Sequence, residues 1–286
     1  MNISFGTDNL VGDEYPNAAS YKTGAFAYNA ADISAAEVYW RSGEVNITES
    51  SGAELNVRES GGEAAGDTAM HYLIDGGVLR IRFCASAAHI RVSPEDKRLH
   101  PEVPKGVRIS VHATSADIRS GDLNPEGLLV SVHSGSVNPG AVTASEVGMS
   151  SSSGSLRAES VSTESLKCAA YSGSVTLCSA SAGAPDCVTS SGCADIRNIC
   201  AETVSVKSGS GGVSLDFAAA AEVSAATTSG NVTLALPQGG ADVVYTSNSG
   251  RLHTGRSHER SGDIYVFGGG EGRINVVTSS GDLGIK

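Results

Sequence analysis

The chain has 286 residues, of which 40% are hydrophobic and only 5% aromatic, and it contains 35 glycines. This length allows one or two domains, but the core must be thin and filled by small and aliphatic side chains. The net charge of −11 excludes the basic face that a phosphate backbone requires, so we expect no nucleic-acid partner.

The first segment, residues 1–20, is predicted to be flexible and carries no recognisable export signal. Its sequence, MNISFGTDNLVGDEYPNAAS, has neither a basic start nor an apolar core. The whole chain lacks an apolar run of about 18 residues, so no direct membrane span is expected. Six cysteines suit a reducing compartment, which favours a cytoplasmic location and leaves envelope association as the alternative.

Residues 21–106 are predicted to form a less regular β region that supplies an N-terminal cap and the first turns. Apolar and polar residues alternate in EVYWRSGEVNI, AELNVRES and GGVLRIRF, which indicates strands. An alanine-rich helix over 25–37 is an alternative that has no clear cap. The stretch 93–106, SPEDKRLHPEVPKG, is interpreted as a proline-broken connection. Trp40 is expected to be a core or capping side chain.

From residue 107 to residue 286 a glycine recurs at a spacing of 19 residues. Alternating apolar residues follow each glycine, and Ala116 occupies the equivalent position one repeat before the first. The glycines are Gly135, Gly154, Gly173, Gly192, Gly211 and Gly230, followed by Gly250 after a step of 20. Short strands at a fixed period predict an all-β fold, a single-stranded parallel β-solenoid or β-helix with turns of about 19 residues. The glycine is expected to provide either a positive φ or a close approach at a corner.

Four columns of the repeat are predicted to face the core because they are apolar at period two. One column contains Val130, Met149, Cys168, Cys187, Val206, Ala225 and Val244, and another contains Leu128, Val147, Leu166, Pro185, Val204, Val223 and the exception Asp242. The remaining two contain Val137, Leu156, Val175, Ala194, Val213, Val232 and Leu252, and Pro139, Ala158, Leu177, Ile196, Leu215 and Leu234.

A serine directly before each corner position forms a further column. We expect these hydroxyls to hydrogen-bond along the stack. Catalysis by one of them is the alternative, but a nucleophile needs a single serine beside a base, and here equivalent serines repeat in register. The column contains Ser115, Ser134, Ser153, Ser172, Ser191, Ser210, Ser229 and Ser249.

Five of the six cysteines lie between residues 168 and 200. Cys168 and Cys187 fall on an apolar column and are predicted to be core, with a disulfide between them left open. Cys178, Cys193 and Cys200 fall at scattered positions of the turn, without the short spacing of metal ligands. The sequence also lacks the phosphate-binding loop, the nucleophile elbow and the zinc-protease motif. We therefore predict no catalytic, cofactor-binding or metal-ligating residues, and no cofactor.

The order of several blocks resembles the bacterial DUF4097 family, which carries a candidate-adhesin label. The blocks are SYKTGAFAYNAADISAAEVYWRSGEVNITESSGAELNVRES, GGVLRIRF, LHPEVPKGVRISVHATSADIR and INVVTSSGDLGI, so that the resemblance covers residues 20–286. It implies an all-β solenoid without established enzymatic activity, in a family whose members are often tied to the cell envelope.

The sequence favours a non-catalytic scaffold or binding module, with a carbohydrate-binding or carbohydrate-active β-helix protein as the alternative. An enzyme of that kind needs carboxylates clustered on an outer face, whereas Asp195 and Asp216 are offset along the turn. The chain stops at Lys286 without residues for a C-terminal cap, and an uncovered last turn would expose a strand edge. We therefore expect a protein partner or self-association at this end, the alternative being a monomer whose last strand tolerates water.

Overall fold

The computed structural model describes residues 14–61, 65–88 and 97–286 and divides the chain into two compact units, 1–151 and 152–286. Both units are built from β-strands, and helical structure in the described residues is limited to the 3-10 turns Ala18–Ser20, Ala30–Asp32 and Gly66–Thr68. The predicted all-β fold class is therefore confirmed.

Unit 1 is organised around one long strand, β3, which pairs in parallel with β8 along both of its halves. The first half of β3 also pairs with β6 and the second half with β7, while antiparallel strands extend the sheet beyond β6 and β7. The strands of unit 1 are β1 (Lys22–Thr23), β2 (Phe26–Asn29), β3 (Ala35–Ser50), β4 (Glu54–Ser60), β5 (His71–Asp75), β6 (Val78–Arg82), β7 (Arg98–Pro104), β8 (Arg108–Ser120), β9 (Gly127–Val132), β10 (Val137–Asn138) and β11 (Ala141–Ser151).

Unit 2 consists of solenoid turns, each contributing strands that stack in parallel on those of the turn before. Its strands are β12 (Leu156–Ala158), β13 (Ser160–Ala170), β14 (Val175–Leu177), β15 (Ala180–Ala182), β16 (Asp186–Thr189), β17 (Ala194–Cys200), β18 (Thr203–Ser208), β19 (Val213–Phe217), β20 (Glu222–Thr227), β21 (Val232–Ala235), β22 (Gly240–Ser247), β23 (Leu252–Thr254), β24 (Glu259–Ser261), β25 (Ile264–Gly268), β26 (Gly272–Thr278) and β27 (Leu283–Ile285).

Two stacks of parallel strands define unit 2. Ladder A runs β12, β14, β17, β19, β21, β27 and β23, and ladder B runs β13, β16, β18, β20, β26 and β22. Partners in the regular turns are offset by the sequence repeat, as in Cys168 opposite Cys187 and Val175 opposite Ala194. The parallel β-solenoid predicted from the repeat is confirmed.

The predicted core columns are buried, with two exceptions at the last repeat. Val206 and Leu215, for example, are at most 1% exposed, and the alternate residues Ser205 and Ser214 lie on the outer side of the same strands. Val244 and Leu252 are the exceptions, because both are partly exposed. Cys168 and Cys187 are buried core residues, as predicted, and the disulfide left open between them is absent, since both thiols are free. Their mutual hydrogen bond together with burial raises the pKa of Cys187.

One alternative and one interpretation for the N-terminal region are wrong. The stretch 25–37 is not a helix, because it contains β2, a 3-10 turn and the start of β3. Residues Arg98–Pro104, interpreted as part of a connection, form β7, while 93–96 lie outside the described residues. Leu99, Pro101 and Val103 are all buried, so Pro101 occupies an inward position of an alternating strand.

The corner glycines are needed for a close approach and not for a positive φ. A Cβ added to Gly211 would lie 1.9 Å from the carbonyl oxygen of Gly192, and one added to Gly230 would lie 2.0 Å from that of Gly211. Positive φ is found at other glycines, and none of the corner glycines from Gly135 to Gly250 adopts it. Glycine was expected at the corners either for a positive φ or for a close approach. The close approach between the backbones of successive turns is the correct explanation in the repeats.

The stacked hydroxyls lie in a different column from the predicted one. The serines directly before the corners are exposed, whereas the residues three positions before the glycines are buried. Thr189 donates to the carbonyl of Gly192 at 2.7 Å, and its hydroxyl oxygen lies 3.1 Å from that of Ser208. Ser208 in turn donates to the carbonyl of Gly211 at 2.7 Å. An inward hydroxyl can satisfy a buried corner carbonyl, whereas an outward one is left to water.

The C-terminal turn is inserted into the stack and does not end it. β26 lies between β20 and β22, and β27 lies between β21 and β23. A Cβ on Gly281 would meet the carbonyl of Gly230 at 1.9 Å, and one on Gly250 would meet the carbonyl of Gly281 at 1.9 Å. The chain thus forms its outermost turn before it returns to form the turn beneath.

The insertion coincides with a change of face in the last repeat. Val243, and not Val244, is buried and lies opposite Ile274, while Asp242 lies opposite Arg273. The step of 20 residues to Gly250 adds one residue, and a shift of one residue exchanges the two faces of a strand. Asp242 is therefore an outward residue and not an exception within the core.

The expectation of an uncovered C-terminal edge is wrong, because β26 and β27 are paired on both sides. The outer strands on ladder B are β25, which pairs antiparallel with β22, and β24, which pairs with β25. All three residues of β24 are exposed, and Glu259 and Arg260 place charges on it, which is a common way to discourage edge pairing.

The insertion predicts which engineered cysteines can be joined. With Cys193 and Cys200 replaced by serine, A226C paired with V277C should form a disulfide on mild oxidation, because these positions face each other on β20 and β26. A226C paired with T246C should not, because the two positions are two strands apart, about 9.6 Å. Mass spectrometry of the oxidised variants measures both. Efficient crosslinking of the second pair without the first would show that the turns stack in sequence order.

Candidate functional site

A shallow polar groove of about 620 Å³ lies on the outer side of ladder A. It crosses β17, β19 and β21, whose inward residues are core and whose outward residues are mostly small, with Gly212 and Ala235 in its floor. The outward side chains that carry polar groups are Cys193, Asp195, Arg197, Ser214, Asp216, Asn231, Thr233 and Lys286.

A β-bulge in β17 adds a second outward residue, Asn198, directly after Arg197, the cation of the groove. The register with β19 shifts between Ile196 and Ile199, and Asn198 adopts a left-handed φ of 48°. Both Arg197 and Asn198 are therefore exposed in a strand that otherwise alternates, and Asn198 donates to the hydroxyl of Ser179 at 3.1 Å. Bulges commonly redirect a side chain in this way beside binding sites.

The guanidinium of Arg197 is held by one carboxylate and lies near a second. It donates to Asp195 from Nε at 3.2 Å and from Nη2 at 2.6 Å, and this contact raises the pKa of Arg197. Asp216, on the next turn, also contributes to that rise through its charge. A two-point contact of this kind fixes the plane of the guanidinium and leaves its remaining N–H groups available to a ligand.

The other end of the groove is ordered by the inserted turn. The side-chain oxygen of Asn231 accepts from the backbone N–H of Asp282 at 2.8 Å, so its NH₂ group is left for the groove. Asp282 in turn accepts from the N–H of Arg251 at 2.8 Å, and this hydrogen bond is the main reason that its pKa is lowered. The hydroxyls of Ser214 and Thr233 lie between the two ends.

The structure thus brings together two carboxylates that the sequence left apart. Asp195 and Asp216 sit at different offsets in their repeats, yet both line the groove, with Arg197 beside them. Cys193 also lines it, whereas Cys200 is exposed away from it. The repeat predicted an outward face here, and alternation alone turns both Asp195 and Arg197 toward it, whereas the bulge at Asn198 gave no other sequence signal.

Sequence reasoning missed a buried ion pair in unit 1. The ammonium of Lys97 lies 3.1 Å from the carboxylate of Glu59, and the two side chains are 1% and 7% exposed. Lys97 also donates to the carbonyls of Thr68 and Phe83, each at 2.6 Å, and burial lowers its pKa. Glu59 lies at an inward position in the alternation of β4. A charged residue at an inward position was therefore the sequence signal of a buried ion pair.

This ion pair is closed to substrates by its surroundings. Lys97 lies 4.2 Å from the centre of the Phe83 ring and 5.1 Å from that of Trp40, which is itself fully buried, as expected for a core residue. The backbone N–H of Met70 donates to both oxygens of Glu59 at 2.9 and 3.0 Å. A lysine with its donors used and no exposed face stabilises the fold and cannot reach a ligand.

A serine and a histidine meet at the surface of unit 1. The hydroxyl of Ser60 lies 3.0 Å from Nε2 of His100, and burial lowers the pKa of that histidine. The neighbouring carboxylate of Glu102 accepts from Asn56 at 3.3 Å. A nucleophilic serine also needs an orienting group on the other ring nitrogen and donors for an oxyanion, and the described contacts supply neither.

Among the described residues, no three His, Cys, Asp or Glu side chains come together as metal ligands. In the same part of the chain, no helix combines the length and the apolar character that crossing a bilayer would require.

The family model Toastrack DUF4097 matches residues 33–286. The chain belongs to this family. The resemblance seen in the sequence blocks is thereby confirmed, and this Toastrack chain shares the β-solenoid-like fold of the family. A comparison with curated proteins gives no match.

Two solved structures are similar to this Toastrack chain in fold. A candidate adhesin from Parabacteroides merdae is 15% identical, with 93% of this chain and 96% of that chain covered and a TM-score of 0.51. A candidate lipid-binding protein from Parabacteroides distasonis is 13% identical, with 92% and 96% covered and a TM-score of 0.51. At this identity the likeness establishes the fold alone.

The structural role of Lys97 in this Toastrack chain can be tested by removing its partner. E59Q leaves a buried ammonium without a counter-charge and should lower the free energy of unfolding by about 3 kcal/mol. E44Q, which removes a more exposed partner of Arg119 at 3.7 Å, should cost less than about 0.5 kcal/mol. Urea unfolding of both variants measures the difference, and equal losses would contradict a structural role for the buried pair.

Proposed function

We propose that this Toastrack chain is a non-catalytic binding module of the cell envelope that acts by contact and not by turnover. The observation that carries the proposal is the groove on ladder A, where polar side chains are arranged without a nucleophile and base in contact. Arg197 is engaged by Asp195, which leaves the guanidinium oriented for binding and the carboxylate already neutralised.

The same arrangement argues against the carbohydrate-active alternative. Hydrolysis of a glycosidic bond requires two carboxyl groups that flank the bond, one of them as an acid with a raised pKa. In the groove the carboxylate of Asp195 already accepts two N–H groups from Arg197, so it is not free to flank a glycosidic bond. Asp216 alone remains, and a single carboxylate supports binding better than hydrolysis.

The packing of the solenoid argues against a ligand held inside it. The inward residues of β17, β19 and β21 are at most about 5% exposed, so the interior is filled by side chains. Contacts with partners must then be made by the outer faces. Envelope association follows the family's usual setting, and the partner is expected among envelope components.

The proposal predicts saturable binding to envelope material without chemical change. The full chain, incubated with a purified envelope fraction of its native cell, should co-sediment with that fraction, because the ordered outer face recognises a repeated surface component. Mass spectrometry of the fraction before and after incubation should show no cleaved product. A chain that stays in the supernatant at every concentration, or one that releases fragments, would overturn the proposal.

A further inference from the structure

The groove on ladder A has the donors and acceptors of a site for a polyhydroxylated ligand. Acceptors come from Asp216, donors come from Arg197 and the NH₂ group of Asn231, and the hydroxyls of Ser214 and Thr233 can act as either. Asp216, Ser214 and Thr233 use none of their side-chain oxygens in hydrogen bonds with the described residues. Neighbouring hydroxyl groups of a sugar match this mixture, since each can both donate and accept.

The charges of the groove point to a neutral ligand. The charged side chains of the lining are Asp195 and Asp216 against Arg197 and Lys286, so the side-chain charges sum to zero. An anionic ligand would meet an arginine that is already paired and a second carboxylate that repels it. A cation would meet too few ligands, because no group of three acidic, histidine or cysteine side chains exists in the described residues.

The backbone of the groove excludes a peptide that adds a strand. β19 is hydrogen-bonded to β17 on one side and to β21 on the other, and β21 is in turn paired with β27. Strand addition needs a free sheet edge, and the groove has none within the described strands. The apolar residues beneath it, Val213 and Leu215, are each 1% exposed, so the core itself is closed to a ligand.

We propose that this groove binds a short neutral oligosaccharide, with Asp216 and Arg197 as its principal contacts. The inference rests on the proposed function and names the ligand class of the same site. Three stacked turns span about 10 Å from the first strand to the third, which suits a ligand of a few sugar units lying across the strands. The volume of about 620 Å³ is in the range of small-molecule sites.

A microarray of defined short oligosaccharides, neutral ones beside sulfated and sialylated ones, tests the inference with the full chain. The best neutral glycan is then titrated by calorimetry against two variants, D216N and R197Q. Each should weaken binding by at least about tenfold, because each removes a hydrogen bond to a charged group. The matched control D186N removes an exposed carboxylate from ladder B and should leave the affinity unchanged.

A third variant, T233W, fills the groove and leaves Asp216 and Arg197 unsubstituted. It should abolish binding while the melting temperature is retained. Binding of no glycan, binding of acidic glycans only, or equal effects of D216N and D186N would overturn the inference. Co-sedimentation with the envelope fraction separates the two proposals. If D216N and T233W still co-sediment like the wild type, the binding module stands and the oligosaccharide groove falls, whereas a wild type that does not co-sediment removes the proposed function itself.

Discussion

The structure depends on the contact between corner backbones of successive turns. At the corners from Gly173 to Gly230 the glycine Cα lies against the carbonyl of the glycine one turn earlier, and any Cβ there would fall within about 2 Å of that oxygen. This contact fixes the register at 19 residues, since a shift of one residue would place a side chain at the corner and exchange the two faces of every strand. The core columns and the outer groove both follow from it.

The same contact explains how the solenoid can be completed out of order. Because Gly281 fits between Gly230 and Gly250, the last segment is able to enter the stack as a turn like any other. On ladder B the outermost strands are then the antiparallel β24 and β25, and the exposed charges of β24 meet solvent. The C-terminal strands β26 and β27 therefore have no free edge that would need a partner. The groove is a stronger reason to expect a partner.

Much of this fold could be predicted from the sequence, because a repeat supplies the same information several times. The fold class, the inward columns and the burial of Cys168 and Cys187 all followed from alternation counted from the glycines. The order of the last turns could not be predicted, because the glycines of both candidate turns fit the same corner. Val244 was assigned to the core because the extra residue of the 20-residue step was placed after it, whereas that residue lies before it.

The candidate site could be predicted only in part. Outward positions on β17 and β19 were visible, and alternation already puts Asp195 and Arg197 on one face, but the bulge that exposes Asn198 beside them depends on one left-handed residue. The buried pair of Lys97 and Glu59 joins segments that are far apart in sequence, and nothing in a single sequence pairs them. A sequence repeat cannot predict a bulge that depends on one irregular residue, or an ion pair between residues that are far apart in sequence.

The most direct measurement of the central claim compares two adjacent glycines. Neither Gly211 nor Gly212 has a left-handed backbone, but a Cβ at Gly211 would lie 1.9 Å from a backbone oxygen, whereas one at Gly212 would have its nearest neighbour at an ordinary 3.4 Å. In urea unfolding, G211A should lose about 3 kcal/mol or more because the turns must separate, and G212A should change stability by less than about 1 kcal/mol. Equal effects of the two substitutions would contradict the account of the corner.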